Sequence, residues 1–221
     1  ILSGAVIDPI ASNELIPDWK EKGAPLGTPV TDDRFYYLGE AGSIRIPNFI
    51  MPPLMSNHGN YVASLSNVCK WLGQQAEALG VEIYPGFPAA GVVYGSNGEV
   101  KGVLTGDLGV ARDGHHKDSY TPGMELLGKY TLFAEGARGS CSKKLIEKFK
   151  LHEGRDPQKF GIGLKELWEI PKGQHKPGLV IHTMGWPLDN STGGGSFMYH
   201  WGENYCSIGF VVHLNYSNPF I

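Results

Sequence analysis

The chain has 221 residues, 41% of them hydrophobic and 19% charged, with a formal net charge of −3 at pH 7. Such a chain buries a core and is not of the disordered type, and without a basic excess or a zinc-finger spacing it gives no footing for nucleic acid as a partner. Three widely spaced cysteines, Cys69, Cys141 and Cys206, do not make a disulfide framework.

The length suits about one or two domains. The 31 glycines and 15 prolines point to turns, irregular loops and close backbone approaches. The first residue is Ile and the last three are Pro-Phe-Ile, so the chain is read as an internal piece of a longer protein.

Residues Asp8–Trp19 read as a short helix, capped by Asp8 with Pro9 in its first turn and ended or kinked at Pro17. Ile10, Leu15, Ile16 and Trp19 form its rough apolar side, and Lys20 and Lys22 follow. A tryptophan beside lysines suits a membrane–water interface, and it equally suits a surface helix packed on its own protein. Ile44–Met55 is apolar with three prolines, too short and broken to span a bilayer. It reads as a loop that inserts shallowly into lipid, lines a hydrophobic channel, or is buried.

Ser64–Leu79 has the clearest helical period, with Leu65, Val68, Cys69, Leu72, Ala76 and Leu79 on one buried face and Gly80 placed to end it. Val81–Tyr84 reads as a strand. Val92–Tyr94 and Val100–Thr105 flank a hairpin turn at Gly95–Gly98. Asp107–Gly123 is polar, and its adjacent His115 and His116 read as part of a solvated loop rather than a metal site.

Tyr130–Phe133 reads as a strand that stops at Ala134-Glu135-Gly136 and turns into a helix at Ser140. Gly136 lets a ligand approach the main chain, and the helix N-terminus offers N–H groups to phosphate or an anionic flavin. Cys141 is a packed or exposed thiol, and Cys69 and Cys206 read as small buried residues. The order of these elements resembles the middle of a flavin-binding domain of the glutathione-reductase/hydroxylase type.

After about residue 150 the pattern changes. Phe160–Ile170, Gly178–Trp186, Ser196–Trp201 and Tyr205–Leu214 read as strands of a largely antiparallel sheet. Between two of them, Gly185–Phe197 reads as a loop whose run Gly193–Gly195 keeps bare backbone available to a flat ligand. No Ser-His-Asp order or catalytic carboxylate pair is present, so no side-chain acid or base is assigned. His58 and His200 are the histidines considered as proton donors, with core or surface roles the better reading.

Eight ordered stretches carry a resemblance that runs end to end: LSGAVIDP, PDWKEKGAPL, NHGNYV, QAEALGVEIYPG, TLFAEGARGS, FGIGLKELWEI, GWPLDNSTGGGSF and GFVVHLNYSNPF. Together they resemble the electron-transferring flavoprotein–ubiquinone oxidoreductase family, in its central part. The resemblance implies an α/β (α+β) architecture. Residues 1–150 would be a partial FAD domain with membrane-surface segments, and residues 151–221 a β-rich quinone-binding domain, with an approximate boundary and room for interleaving.

It also implies a function. An oxidoreductase would accept electrons from reduced electron-transferring flavoprotein and pass them through FAD and one [4Fe–4S] cluster to ubiquinone. The cluster ligands and the GxGxxG start would lie outside this chain, and the piece alone is expected to be inactive. Gly194 and Gly195 match the family's quinone-binding pair, although Gly193 replaces a usually larger residue. Ser3, Gly4, Ala89, Ala90, Glu135, Gly136, Ala137 and Arg138 match flavin contacts. Ile10, Leu15, Ile16 and Trp19 lie where the family meets one leaflet, on the matrix side of the mitochondrial inner membrane or on the bacterial cytoplasmic membrane. The alternatives are a related FAD-dependent aromatic hydroxylase or isoprenoid-lipid reductase, and, from another class, a non-catalytic membrane-surface module.

Overall fold

The computed structural model of the protein describes residues 5–216, so Ser3 and Gly4 lie outside the described residues. In chain order, β1 (Ala5–Ile7) leads to α1 (Ile10–Leu15), β2 (Thr28–Pro29), β3 (Asp32–Gly39) and β4 (Gly42–Ile46). Two single 3-10 turns, Asn48–Ile50 and Pro53–Met55, precede β5 (Tyr61–Ala63) and α2 (Leu65–Ala78). Then come β6 (Ala89–Tyr94), β7 (Val100–Thr105), β8 (Leu108–Val110), β9 (His116–Thr121), β10 (Glu125–Leu127), a 3-10 turn at Gly136–Arg138 and α3 (Ser140–Lys148). The chain closes with β11 (Gly161–Glu169), β12 (Leu179–Gly185), β13 (Gly194–Trp201) and β14 (Tyr205–His213).

These elements form a mixed α+β structure of two compact units, one from residues up to Val81 together with those from Lys159 onward, the other Glu82–Gln158. The first unit is built on a six-stranded sheet of order β11-β14-β13-β12-β3-β4. All its neighbours pair antiparallel except β12 and β3, which run parallel. The largely antiparallel sheet expected of the later residues is therefore present, and it also takes in residues 32–46. The compact units divide at 81/82 and 158/159.

One face of this sheet can be read from the register, because side chains alternate along each strand. Asp33 and Phe35 stand beside Val180 and His182, which stand beside Tyr199 and Phe197. Val180 and Tyr199 pack with Val30 and Val62 as one dry core, joined by Val6 and Trp201. Val62 and Val6 come from a small sheet of order β1-β5-β2 that covers this end of the face.

A second cluster joins Trp19, Leu26, Ala63 and Trp71, with Ile7, Ile16, Tyr61 and Val68 against it. Here the structure corrects the sequence reading of the first helix. Asp8 does hold its start, since Ile10 N–H donates to Asp8 Oδ1 at 3.0 Å. The helix itself is one and a half turns long, and Trp19 lies beyond it, only 3% exposed. Its Nε1–H donates to Asn13 Oδ1 at 2.8 Å and its ring meets Tyr61 edge-on. A buried indole with a satisfied N–H is a core residue, so Trp19 and the half-buried Ile16 do not belong to an outward apolar face, whereas Ile10 and Leu15 do.

Helix α2 forms where its period predicts. The Ser64 side chain accepts from Asn67 N–H at its start, and Val81 N–H returns to Ala76 C=O after Gly80, at φ 87°. Its buried face is a different one. Trp71 is inside, with Nε1–H donating to Lys22 C=O, while Leu65, Cys69, Leu72 and Leu79 are exposed. Trp71 has both the larger area and an inward hydrogen bond, and it rotates the helix accordingly.

In the second unit the β6–β7 hairpin closes at Gly95–Gly98 as expected, and β10 adds to β7. The polar stretch after residue 107 forms the β8–β9 hairpin rather than a loop, with the His116 ring stacked on Tyr120. Val81–Tyr84 and Tyr130–Phe133 are not strands, because no described strand runs beside either to take its N–H and C=O groups.

Replacing Trp19 by Ala in the complete protein therefore lowers unfolding stability by about 3–5 kcal/mol. Denaturant midpoints read this directly, and a change as small as that of an exposed site would return Trp19 to the surface.

Candidate functional site

The end of the sheet face not covered by the small sheet carries an open cleft of about 670 Å3. Phe35, His182, Met184, Gly195, Phe197 and Val211 form its floor, and Met51, Leu54, Met55 and Asn57 overhang it. The overhang belongs to the apolar Ile44–Met55 stretch, whose Met51, Leu54 and Met55 line the cleft. Its outer side is not buried: Phe49 is 86% and Leu54 99% exposed.

The overhang is held by polar stitching. Asp33 is buried on β3, and its carboxylate accepts from Asn57 N–H and from Asn57 Nδ2, each at 3.0 Å. Asn48 Nδ2 donates to the Asp33 carbonyl at 2.9 Å.

Gly194 and Gly195 line the cleft, although they are not in a flexible loop. They are the first residues of β13, opposite Val212 and Val211 of β14. Their φ angles are 149° and 159°. A Cβ on Gly194 would overlap the Val211 carbonyl oxygen, and one on Gly195 would overlap that of Thr183. Close strand packing thus already requires glycine here. The β12–β13 ladder stops at Thr183↔Ser196, while the β13–β14 ladder continues to Gly194. The β12-facing side of the glycine pair is thereby outside the ladder and beside the cleft.

The titratable side chain that lines the cleft is His182, whose Nε2 lies 2.7 Å from the Tyr199 hydroxyl. Burial holds the imidazole below its ordinary range, partly offset by nearby Asp33. Burial, then Asp33, pushes the Tyr199 phenol up to about 12. The sequence reading passed over His182 in favour of His58 and His200. His58 is exposed in the turn before β5, and His200 is buried with Nδ1 accepting from Lys176 N–H. The available signal was alternation, since in GLVIHTMGW His182 falls on the same side as Val180 and Met184.

The expected flavin contacts fall in the second unit, and α3 brings them together. Cys141 is buried, its Sγ–H donating to Ala89 C=O at 3.6 Å, and Lys144 Nζ reaches Ala90 C=O at 3.5 Å. Ala89, Ala90, Gly136, Ala137 and Arg138 are all exposed, and Gly136 has φ 76° with open space where a Cβ would stand. Glu135 has another task. Its carboxylate accepts from Cys141 N–H, Ser142 N–H and Ser142 Oγ–H, the last two at 2.7 Å. The first-turn N–H groups of α3 expected to meet a phosphate or an anionic flavin are bonded to the chain's own acid.

These bonds, first that from Ser142, hold the Glu135 carboxyl below its usual range. A folded-state value below the unfolded one stabilises above the unfolded value, and that stabilisation is lost as pH falls through the folded one. Hydrogen exchange at the Cys141 and Ser142 amides should accordingly speed up on acidification beyond its intrinsic pH trend. Glu135→Gln should remove that extra pH dependence, and an unchanged dependence in the variant would assign the cap elsewhere.

The sequence model of the family described as "ETF-QO, ubiquinone-binding" matches residues 160–221, the stretch that supplies β11–β14. The chain is 57% identical to the electron transfer flavoprotein-ubiquinone oxidoreductase of Pseudomonas aeruginosa, over 100% of this chain and 40% of that protein. It is 56% identical to the mitochondrial protein of that name from Dictyostelium discoideum, over 100% of this chain and 36% of the relative. Against the mitochondrial protein from Homo sapiens the figures are 54%, 100% and 36%. The chain thus spans well under half the length of these relatives and, as a portion of such a protein, belongs to the electron transfer flavoprotein-ubiquinone oxidoreductase family.

Proposed function

We propose that this chain is the central portion of a membrane-associated flavoprotein that accepts electrons from reduced electron-transferring flavoprotein and passes them, through FAD and a [4Fe–4S] cluster, to ubiquinone. The observation that carries the reading is the cleft: a mainly apolar slot on the sheet to which residues 160–221 contribute four strands, edged by backbone of Gly194 and Gly195. A quinone headgroup is flat, apolar on its faces and polar only at its carbonyls. A slot with apolar walls and a few convergent polar groups is the usual form of such a site.

The flavin assignment rests on the second unit. Exposed backbone at Ala89–Ala90 and at the Gly136 turn fits a planar ring system lying against the main chain, with Arg138 beside it. FAD, when bound there, would supply one- and two-electron chemistry. The cluster has no fitting residues in this chain. Cys69 is exposed on α2, and Cys141 and Cys206 are buried in separate units, so they do not make a four-thiolate set. Its ligands would come from elsewhere in the complete protein.

For the membrane, no helix among the described residues is long and apolar enough to cross a bilayer. The contact proposed is with one leaflet, on the mitochondrial inner membrane or the bacterial cytoplasmic membrane. Ile10 and Leu15 remain from the original set. Phe49, Ile50 and Leu54 join them, because they are exposed on the segment that overhangs the cleft. A long-tailed quinone would then enter from the lipid without crossing water.

The test uses the complete protein. Phe49→Asp combined with Leu54→Asp should weaken binding to phospholipid vesicles roughly tenfold or more, since each large apolar side chain contributes about 1.5–3 kcal/mol when fully buried. Reduction of the bound flavin by the partner flavoprotein should be unchanged, while KM for long-tailed ubiquinone rises. Unaltered vesicle binding would remove this edge from the membrane. Failure of the unaltered protein to reduce ubiquinone would overturn the function. Gly194→Val is not the right probe, because its side chain would disrupt β13–β14 pairing whatever binds in the cleft.

A further inference from the structure

Reducing a quinone to a hydroquinone takes two electrons and two protons, and the walls of this cleft are mainly apolar, with the hydroxyls of Thr183 and Ser196 bonded to each other. The overhanging segment, residues 48–57, carries no titratable side chain. On the sheet face, β12 offers His182, β3 offers Asp33 and β13 offers Tyr199, and β11 places Lys165 Nζ over the Phe197 ring at 5.5 Å. Asp33 is committed to Asn57. Tyr199 is buried at 8% exposure and does not line the cleft. His182 is the titratable side chain that does line it.

On the quinone reading of the cleft, on which this inference rests, we propose that His182 delivers a proton to the quinone oxygen and that Tyr199 is the positioning residue that holds its ring. On this assignment Nε2–H donates to the Tyr199 hydroxyl, which stays protonated at neutral pH, so the neutral imidazole presents a bare Nδ1. Among the described residues nothing bonds Nδ1. A small void of about 10 Å3 adjoins the ring, bounded by Asp33, Asn48 and Ser56. That is close to the room one buried water needs, on a polar path toward the ring.

A quinone reduced in this cleft would carry negative charge, and a nearby negative charge favours the imidazolium. His182, neutral at rest, takes a proton from solvent water on Nδ1. Its Nδ1–H bond then breaks as an O–H bond forms on the quinone, and the imidazole returns to neutral. The second proton comes from water, and the hydroquinone leaves.

The experiment is steady-state reduction of a short-tailed ubiquinone analogue by the complete protein, followed against pH, with flavin reduction by the partner measured separately. In the unaltered protein kcat should fall as pH rises and the imidazolium is lost. His182→Gln keeps an N–H donor but cannot relay a proton. It should lower kcat by about 10²–10⁴-fold, leave KM and flavin reduction nearly unchanged, and abolish the fall. Tyr199→Phe keeps the packing and removes the acceptor of Nε2–H, a bond stronger for the imidazolium than for the neutral ring, so the fall should move to lower pH. A merely structural role would not move it.

Quinone reduction by His182→Gln at the unaltered rate and pH profile would overturn the assignment while leaving the quinone reading intact. If Gln does not fold at this position, an unshifted profile in Tyr199→Phe would overturn it instead. No quinone reduction by the unaltered protein would remove both.

Discussion

A buried carboxylate must find donors or cost several kcal/mol, and Asp33 finds them in the segment that overhangs the cleft. Asn57 bonds it twice and Asn48 bonds its carbonyl, so residues 48–57 are fixed to β3 by polar contacts. The usual way to fix a loop is to bury its apolar side chains. Here that is unnecessary, and Phe49, Ile50 and Leu54 stay outside. The cleft and its exposed apolar edge therefore have one cause, the placement of an acid at residue 33.

That placement depends on the sheet's one parallel pair. Setting β3 beside β12 puts Asp33 next to Val180 and Phe35 next to His182, on the face that also carries Tyr199 and Phe197. The face then changes character along its length. At one end the small sheet seals it with Val62 and Val6. At the other, small residues open it: Gly194 and Gly195 are forced by neighbouring carbonyls, and Gly209 lies where a Cβ would overlap the Phe197 ring. With its ring against Gly209 and stacked on Tyr199 at 4.7 Å, Phe197 is a rigid floor rather than a mobile side chain.

What the sequence made legible follows the range of the interactions involved. α2 with its Ser64 cap, the Gly95–Gly98 hairpin and strands β11 to β14 were readable because caps, turns and alternation are local. The buried face of α2 was not, because Trp71 found its partner at Lys22, 49 positions away. Trp19 misled for the same reason: beside lysines it has the composition of an interfacial residue, and only Asn13 and Tyr61 in three dimensions place it in the core. Gly194 and Gly195 were singled out through resemblance, but the local reading of a loop over them was wrong, since they begin β13 under the approach of β14 and β12. His182 was missed because a histidine in an alternating strand carries no mark of which face will stay open.

The two candidate sites share one economy of charge. Asp33 is occupied by Asn57, and Glu135 by the first turn of α3, so neither acid is left as a base or as an anion facing a ligand. At the Gly136 turn this matters directly. A carboxylate already sits on the positive end of α3, and a second anion there would meet like charge, so a ligand must use the backbone of residues 136–138 and of Ala89–Ala90. In the cleft the same logic leaves backbone at the glycine pair, the mutually bonded hydroxyls of Thr183 and Ser196, and one imidazole. Electron transfer asks for proximity and a dry slot, which backbone and apolar side chains supply. The proton is the one requirement they cannot meet, and the arrangement around His182 is the place where this chain departs from an otherwise apolar design.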